Sequence, residues 1–251
     1  MSAGQGGLLA ALSRAAPERH ARVLRLIGEA PHPLPGGAIG HGLEFAALEA
    51  VLDGLTPPAL PARLRDAVRP RQLSHAAGRY CAELGLLALT GTDGEVPTGP
   101  AGEPLWPSGV SGSITHAGGG AWAAVGRSAE VGTLGLDTEV VVDAAGLADI
   151  LAVCVTPGER ERWFRSCPTE TAAELATALF SAKESLYKAL HPRVRRFVDF
   201  TEVEMVDRCE QLRWLRLRPA STSALADVFD DLTVNVRREG VRVHTATALA
   251  R

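Results

Sequence analysis

Apolar residues recur along this chain with two different periods, and the changes of period mark out its elements. Leu73, Ala77, Tyr80, Leu84 and Leu87 follow one another at spacings of 4, 3, 4 and 3. That is one stripe of a helix beginning just after Pro70, with Gly91 placed to stop it. Leu175, Leu179, Ala182, Leu186 and Leu190 predict a second long helix, with a capping sequence at Thr171–Glu174 and Pro192 as its end. Thr156, Pro157 and Glu159 form a capping-box pattern with proline at the first helical position, predicting a short helix through Trp163 and Phe164. Residues 104–117 and 121–126 read as a hairpin: a strand ending at His116, a glycine turn and a return strand. Residues 131–140 (VGTLGLDTEV) read as a strand, as do 197–206, 211–217 and 241–249. The stretches 29–42 and 91–109 and the prolines at 57, 58 and 61 read as loops. The glycine-rich residues 1–7 are expected to lack order. Helix and hairpin followed by strand, helices and strands predicts an α+β chain of two lobes, residues 1–128 and 129–251, meeting near Arg127–Val131.

Chemistry enters through the polar side of these patterns. Side chains alternate faces along a strand, so Leu134, Leu136 and Val140 share one face of the 131–140 strand, and Asp137 and Glu139 share the other. Two residues of rise separate those carboxylates by roughly 7 Å along the strand, close enough to converge on one cation. The later segment 180–188 (FSAKESLYK) adds a third carboxylate, Glu184, with Lys183 and Lys188 beside it. Hard oxygen ligands next to ammonium groups suit Mg²⁺ holding a phosphate ester. Glu184 and Lys188 are equally readable as a solvated i,i+4 ion pair. In the first predicted helix Arg71, His75 and Arg79 form a row opposite the apolar stripe, which suits either a solvated face or a phosphate-rich ligand. In the hairpin, Ser113, Thr115 and His116 are either turn and ladder partners or donors to phosphate oxygens. A basic loop, His191–Arg196, follows the second long helix. It reads either as a solvated charge cluster or as a contact for an acidic protein or a phosphate.

The bulk of the sequence narrows the classes. The chain has 251 residues, 46% apolar and 22% charged, with a net charge of −3. That is enough for two lobes with substantial cores and implies no general affinity for nucleic acid. Cys81, Cys154, Cys167 and Cys209 contain no paired spacing, which reads as reduced thiols in a cytoplasmic protein. The apolar run 7–12 is too short for a signal peptide, and no stretch is long enough to span a membrane.

Taken in order, the patterns WPxGxxGSITH at 106–116, GLDTE at 135–139 and FSAKESLYK at 180–188 resemble the 4′-phosphopantetheinyl transferases. The likeness is to the long, two-lobed class that serves peptide synthetases, polyketide synthases and siderophore pathways. The matched blocks run from Arg71 to Tyr80, Glu103 to His116, Val131 to Glu139 and Phe180 to Lys188. The resemblance implies two similar α+β lobes in tandem related by pseudo-two-fold symmetry. It also implies transfer of 4′-phosphopantetheine from coenzyme A to a serine of an acyl or peptidyl carrier protein, with Mg²⁺, releasing adenosine 3′,5′-bisphosphate. Residue by residue it implies Asp137, Glu139 and Glu184 at the metal, and Asp137, Glu184 and Lys188 in the chemistry. For coenzyme A it implies Arg71, Arg79, Ser113, Thr115, His116, Lys183 and Lys188, with the N-terminal lobe binding coenzyme A. Glu184 is read as base or as ligand. The carrier is expected to be acidic and transiently bound, and two lobes in one chain make a monomer sufficient. Two departures stand out: Thr138 lies between the carboxylates where Ile or Ala is common, and Ala101 stands where relatives carry a phosphate-binding lysine. A hydrolase of the coenzyme A diphosphate and a non-catalytic carrier-binding module remain as alternatives.

Overall fold

A computed structural model describes residues 7–100 and 102–250; Ala101 and residues 1–6 lie outside the described residues. The chain divides into two compact units. The first comprises the residues up to Ala30 together with Gly36–Val131, and the second comprises Pro31–Pro35 with the residues from Gly132 onward.

The first unit contains α1 (Leu8–Ala15), α2 (Pro17–Leu26), β1 (Gly28–Glu29), β2 (Ile39–Glu44), α3 (Phe45–Leu52), α4 (Ala62–Arg65), α5 (Arg69–Thr90), β3 (Val110–Ala117), β4 (Gly120–Arg127) and α6 (Ser128–Val131). Its antiparallel sheet has the order β1-β2-β4-β3. Pro70 sits in the first turn of α5 and Gly91 ends it in the left-handed conformation (φ +74°), as the sequence predicts. Leu73, Ala76, Ala77, Tyr80 and Leu86 of α5 pack with Leu43, Ala121, Ala123 and Val125 of the sheet. The region 29–42, read as loop, contributes one residue of β1 and most of β2, and Gly42 leaves room for the Trp122 ring of β4 that a Cβ would strike.

The second unit contains β5 (Thr133–Val140), α7 (Ala144–Val153), α8 (Pro157–Glu159), a π-helical turn Arg160–Phe164, α9 (Thr169–Val194), β6 (Val203–Arg208), β7 (Trp214–Pro219), β8 (Leu232–Glu239) and β9 (Arg242–Leu249). The antiparallel sheet has the order β5-β9-β8-β7-β6. The core lies between α9 and this sheet, with Leu175, Leu179, Leu186 and Leu190 against Leu215, Leu217, Val234 and Val243. The capping box at Thr156 and Glu159 forms as predicted.

Three sequence expectations are corrected here, and one strand is added. Thr171 does not cap α9, which starts at Thr169 after Pro168. Pro192 does not end it; the helix runs to Val194 and stops at Arg195, whose φ of +48° is left-handed. Proline in the last turn removes one N–H but leaves the following turn intact. The strand expected from 197 begins only at Val203, after a 3-10 turn at Phe200–Glu202. β8 was not foreseen, because its exposed Arg237, Arg238 and Glu239 dilute the apolar alternation.

Candidate active site

The acid-bearing strand β5 is an edge strand, hydrogen-bonded only to β9 within its sheet. Helix α9 lies across it at unusually close range. A Cβ built at Gly135 would stand 1.8 Å from the carbonyl oxygen of Ser185, so glycine is required there for the helix backbone to approach. Gly135, Asp137 and Glu139 share the face of β5 turned to α9. The close approach therefore brings the strand acids and the helix's polar residues together. Asp137 is buried there, only 4% exposed.

Asp137 is held on both carboxylate oxygens. Lys188 Nζ donates to Oδ1 at 2.7 Å, and Ser181 Oγ donates to Oδ2 at 2.9 Å. Lys188 also donates to the Leu136 carbonyl at 3.0 Å, so its primary partner is Asp137 across the gap rather than Glu184 one turn back. Thr245 of β9 completes the support, 2.9 Å from Ser181 Oγ and 2.6 Å from Ser185 Oγ. Ser181, Ser185 and Thr245 were not singled out from the sequence. The one available signal was a pair of serines at i and i+4 in an otherwise apolar stripe.

Glu139 and Glu184 complete a cluster of three carboxylates around one ammonium. Burial, and then the charge of Asp137, push Glu139 up to about 7. Burial also raises Glu184, opposed by Lys188 and reinforced by Asp137. Glu139 and Glu184 thus resist ionisation beside a neighbouring carboxylate, and hard oxygen donors of this kind have the chemistry that suits a divalent cation such as Mg²⁺. Among the described residues no group of three or more His, Cys, Asp or Glu side chains is gathered closely enough to hold a metal ion as it stands.

Lys183 does not join this cluster, which corrects its assignment to the phosphate. Its side chain is 2% exposed, and Nζ donates to Glu159 Oε2 at 2.9 Å, the Cys154 carbonyl at 2.8 Å and the Phe200 carbonyl at 3.0 Å. All three ammonium donors are used within the fold. Beside Glu184, Tyr187, Leu190, Phe197, Val198 and Phe200 line a small cavity of about 40 Å³, with Phe197 exposed at its rim. In the basic loop, Arg193 donates to the Leu249 carbonyl and Arg196 forms a two-pronged pair with Glu202. Both are thereby committed to the fold.

In the first unit the cationic row is real and larger than foreseen. Arg79 is 5% exposed; it donates to Thr98 Oγ1 at 3.1 Å, and among the described residues its Nε has no partner. Burial lowers the Arg79 guanidinium to about 10. His75 is driven to about 4 by burial and by Arg79, Arg63 and Arg71, so it is a neutral ring among three arginines. Arg63, on the four-residue α4, was missed because nothing local marks it. Along β3, Ser113 and Thr115 are buried on one face, while His116 is exposed on the other together with Ile114, which packs toward Gly78 of α5. Strand alternation thus separates the two hydroxyls from His116.

Comparison with known proteins identifies the family. A family model described as the 4′-phosphopantetheinyl transferase N-terminal domain matches residues 60–126. A second, described as the 4′-phosphopantetheinyl transferase superfamily, matches residues 133–237. The chain is 32% identical over 174 residues to 4′-phosphopantetheinyl transferase PptT of Mycobacterium tuberculosis, covering 68% of this chain and 74% of that protein. It is 33% identical over 171 residues to 4′-phosphopantetheinyl transferase Npt of Nocardia iowensis, covering 67% and 74%. It is also 32% identical over 171 residues to enterobactin synthase component D of Salmonella typhimurium, covering 66% and 67%. With matches across both units and the acids, lysine and glycine of β5 and α9 in one constellation, this chain belongs to the 4′-phosphopantetheinyl transferase superfamily.

Proposed function

We propose that this transferase takes 4′-phosphopantetheine from coenzyme A and places it on a serine hydroxyl of an acyl or peptidyl carrier protein, releasing adenosine 3′,5′-bisphosphate. The observation that carries this reading is the convergence of Asp137, Glu139, Glu184 and Lys188 where α9 crosses β5. Asp137 and Glu139, with Glu184 as a third ligand if it is not the base, would hold Mg²⁺, which when bound supplies charge neutralisation at the pyrophosphate oxygens.

The remaining work falls to the side chains. Glu184 is the candidate base. Burial raises its proton affinity, which brings a carboxylate closer to the range useful at neutral pH. It takes the serine proton as the serine oxygen bonds to phosphorus, and the bond to the bisphosphate breaks with its electron pair on the leaving oxygen. Lys188 uses two donors on Asp137 and Leu136, leaving its third for a phosphate oxygen. Positioning and charge dominate such a transfer. The arginines at 63, 71 and 79 would take the 3′-phosphate of coenzyme A. His116, on the face of β3 shared with Ile114, would offer a further donor.

Mass spectrometry of apo carrier proteins incubated with the protein, coenzyme A and Mg²⁺ tests the proposal. One phosphopantetheine gained on a carrier serine is the expected result. Free phosphopantetheine released without carrier would replace it with a hydrolase reading.

A further inference from the structure

β5 is gripped from both sides. Opposite the carboxylates, Thr138 is 0% exposed. Its Oγ1 lies 2.9 Å from His32 Nε2 and 3.0 Å from His244 Nδ1. His32 Nε2 is also 3.2 Å from the Asp137 carbonyl oxygen. The two imidazoles meet edge to face, with centroids 4.8 Å apart. His32 lies in Pro31–Pro35, the short segment that belongs to the second unit although it precedes β5 by about a hundred residues.

Donor and acceptor chemistry gives this chain of contacts a direction. A carbonyl only accepts, so His32 Nε2 carries the hydrogen. Thr138 Oγ1, accepting from His32, has its own hydrogen left for His244 Nδ1. His244 is then protonated on Nε2, 3.7 Å from Glu239 Oε2. Two successive carbonyls of an edge strand are therefore held by side chains from opposite faces: Leu136 by Lys188 and Asp137 by His32.

We infer that His32, acting through Thr138 and His244, is a positioning residue: the directed relay locks the Asp137–Thr138 backbone and so sets the direction in which Asp137 and Glu139 leave β5. The inference rests on the proposed role of those carboxylates in transfer, since only that role makes their direction matter to the rate. Groups that orient catalytic ligands without touching substrate commonly matter about 10–100-fold.

Two measurements on the full chain test it. Nitrogen-15 NMR of the histidine rings reads the tautomers without substrate, and both His32 and His244 are expected as Nε2–H. A hydrogen on His32 Nδ1 instead overturns the relay. In Thr138→Val, amides 137–139 should lose protection from hydrogen exchange, and kcat should fall about tenfold with KM for coenzyme A unchanged. Thr138→Ser should restore both. His32→Gln, which keeps an N–H near the Nε2 position, should recover more than His32→Ala. Unchanged exchange and kcat in a folded Thr138→Val protein would sink the inference. If the wild-type protein transfers nothing to a carrier, the functional reading fails, and the relay is then decided by the tautomers and the exchange alone.

Discussion

Helices α5 and α9 occupy equivalent places, each laid across the antiparallel sheet of its own unit, yet they use buried charge differently. In α5, Glu83 is 4% exposed and accepts from the Leu8 and Leu9 amides at 3.0 and 2.7 Å. It thereby caps the start of α1 from a distance. A Cβ at Gly7 would collide with that carboxylate. In α9, Lys183 is buried to the same end, tied to Glu159 and two carbonyls. Five residues on, Lys188 is half-open and faces a cluster of acids. A buried charge whose every hydrogen-bonding site is filled by the fold is structural. One left with a spare donor beside repelling carboxylates is available for chemistry.

The largest effect should come from the chemical side of that contrast. Glu184→Gln is expected to lower kcat by roughly 10²–10⁴, with little recovery at high Mg²⁺, if the residue is mainly a base. Recovery of most of the rate by excess Mg²⁺ would make it mainly a ligand. A normal kcat would remove it from the site altogether.

Next in size, Lys183→Met should cost about 3–5 kcal/mol of stability, because it strands the buried Glu159 carboxylate. The measurement is chemical denaturation, with transfer activity per folded molecule followed in parallel. The contrast fails if stability holds while transfer is lost, since Lys183 would then touch substrate. Adding Glu159→Gln should return part of the stability.

Glu83 offers a pH test in the first unit. Burial raises its carboxyl to about 7 from an ordinary 4.5, against the pull of the Leu9, Leu8 and Val96 amides. The folded protein therefore holds this proton more tightly than the unfolded chain between those values. The resulting stabilisation is full below pH about 4.5 and is lost as pH rises to about 7, amounting to at most about 3 kcal/mol. Subtracting the profile of Glu83→Gln from that of the wild type should isolate this falling slope. A flat difference across the window would refute it.

The smallest effect belongs to the exposed end of the arginine cluster. Arg71→Ala should raise KM for coenzyme A several-fold with kcat unchanged, as expected when binding is lost equally from ground and transition states. Dephospho-coenzyme A should be indifferent to the change. An equal penalty with both substrates would remove Arg71 from the 3′-phosphate.

Much of this was legible in the chain. Periodicity located α5, α9, the β3–β4 hairpin and β5, since each buries one regular face. The motif residues on β5 and α9 carried the resemblance that both family models bear out. Legibility ended where partners are distant in sequence. Ser181, Thr245 and Arg63 look like ordinary surface or core choices until another element is placed against them.

The sequence by itself determined the two-lobed α+β class, the family and the identity of the acids and lysines near the reaction. These depend on local periodicity and on short spacings within single elements. Only the tertiary structure decided which lysine serves the fold and which faces the acids, that Asp137 is buried, and that His32 reaches Thr138. Lys183 and Lys188 lie on one helix with similar neighbours, and their fates differ only through Glu159 and Asp137, which belong to other elements. Rotation around a helix and the close approach at Gly135 are set by packing between distant segments, and packing has no period that a single chain displays.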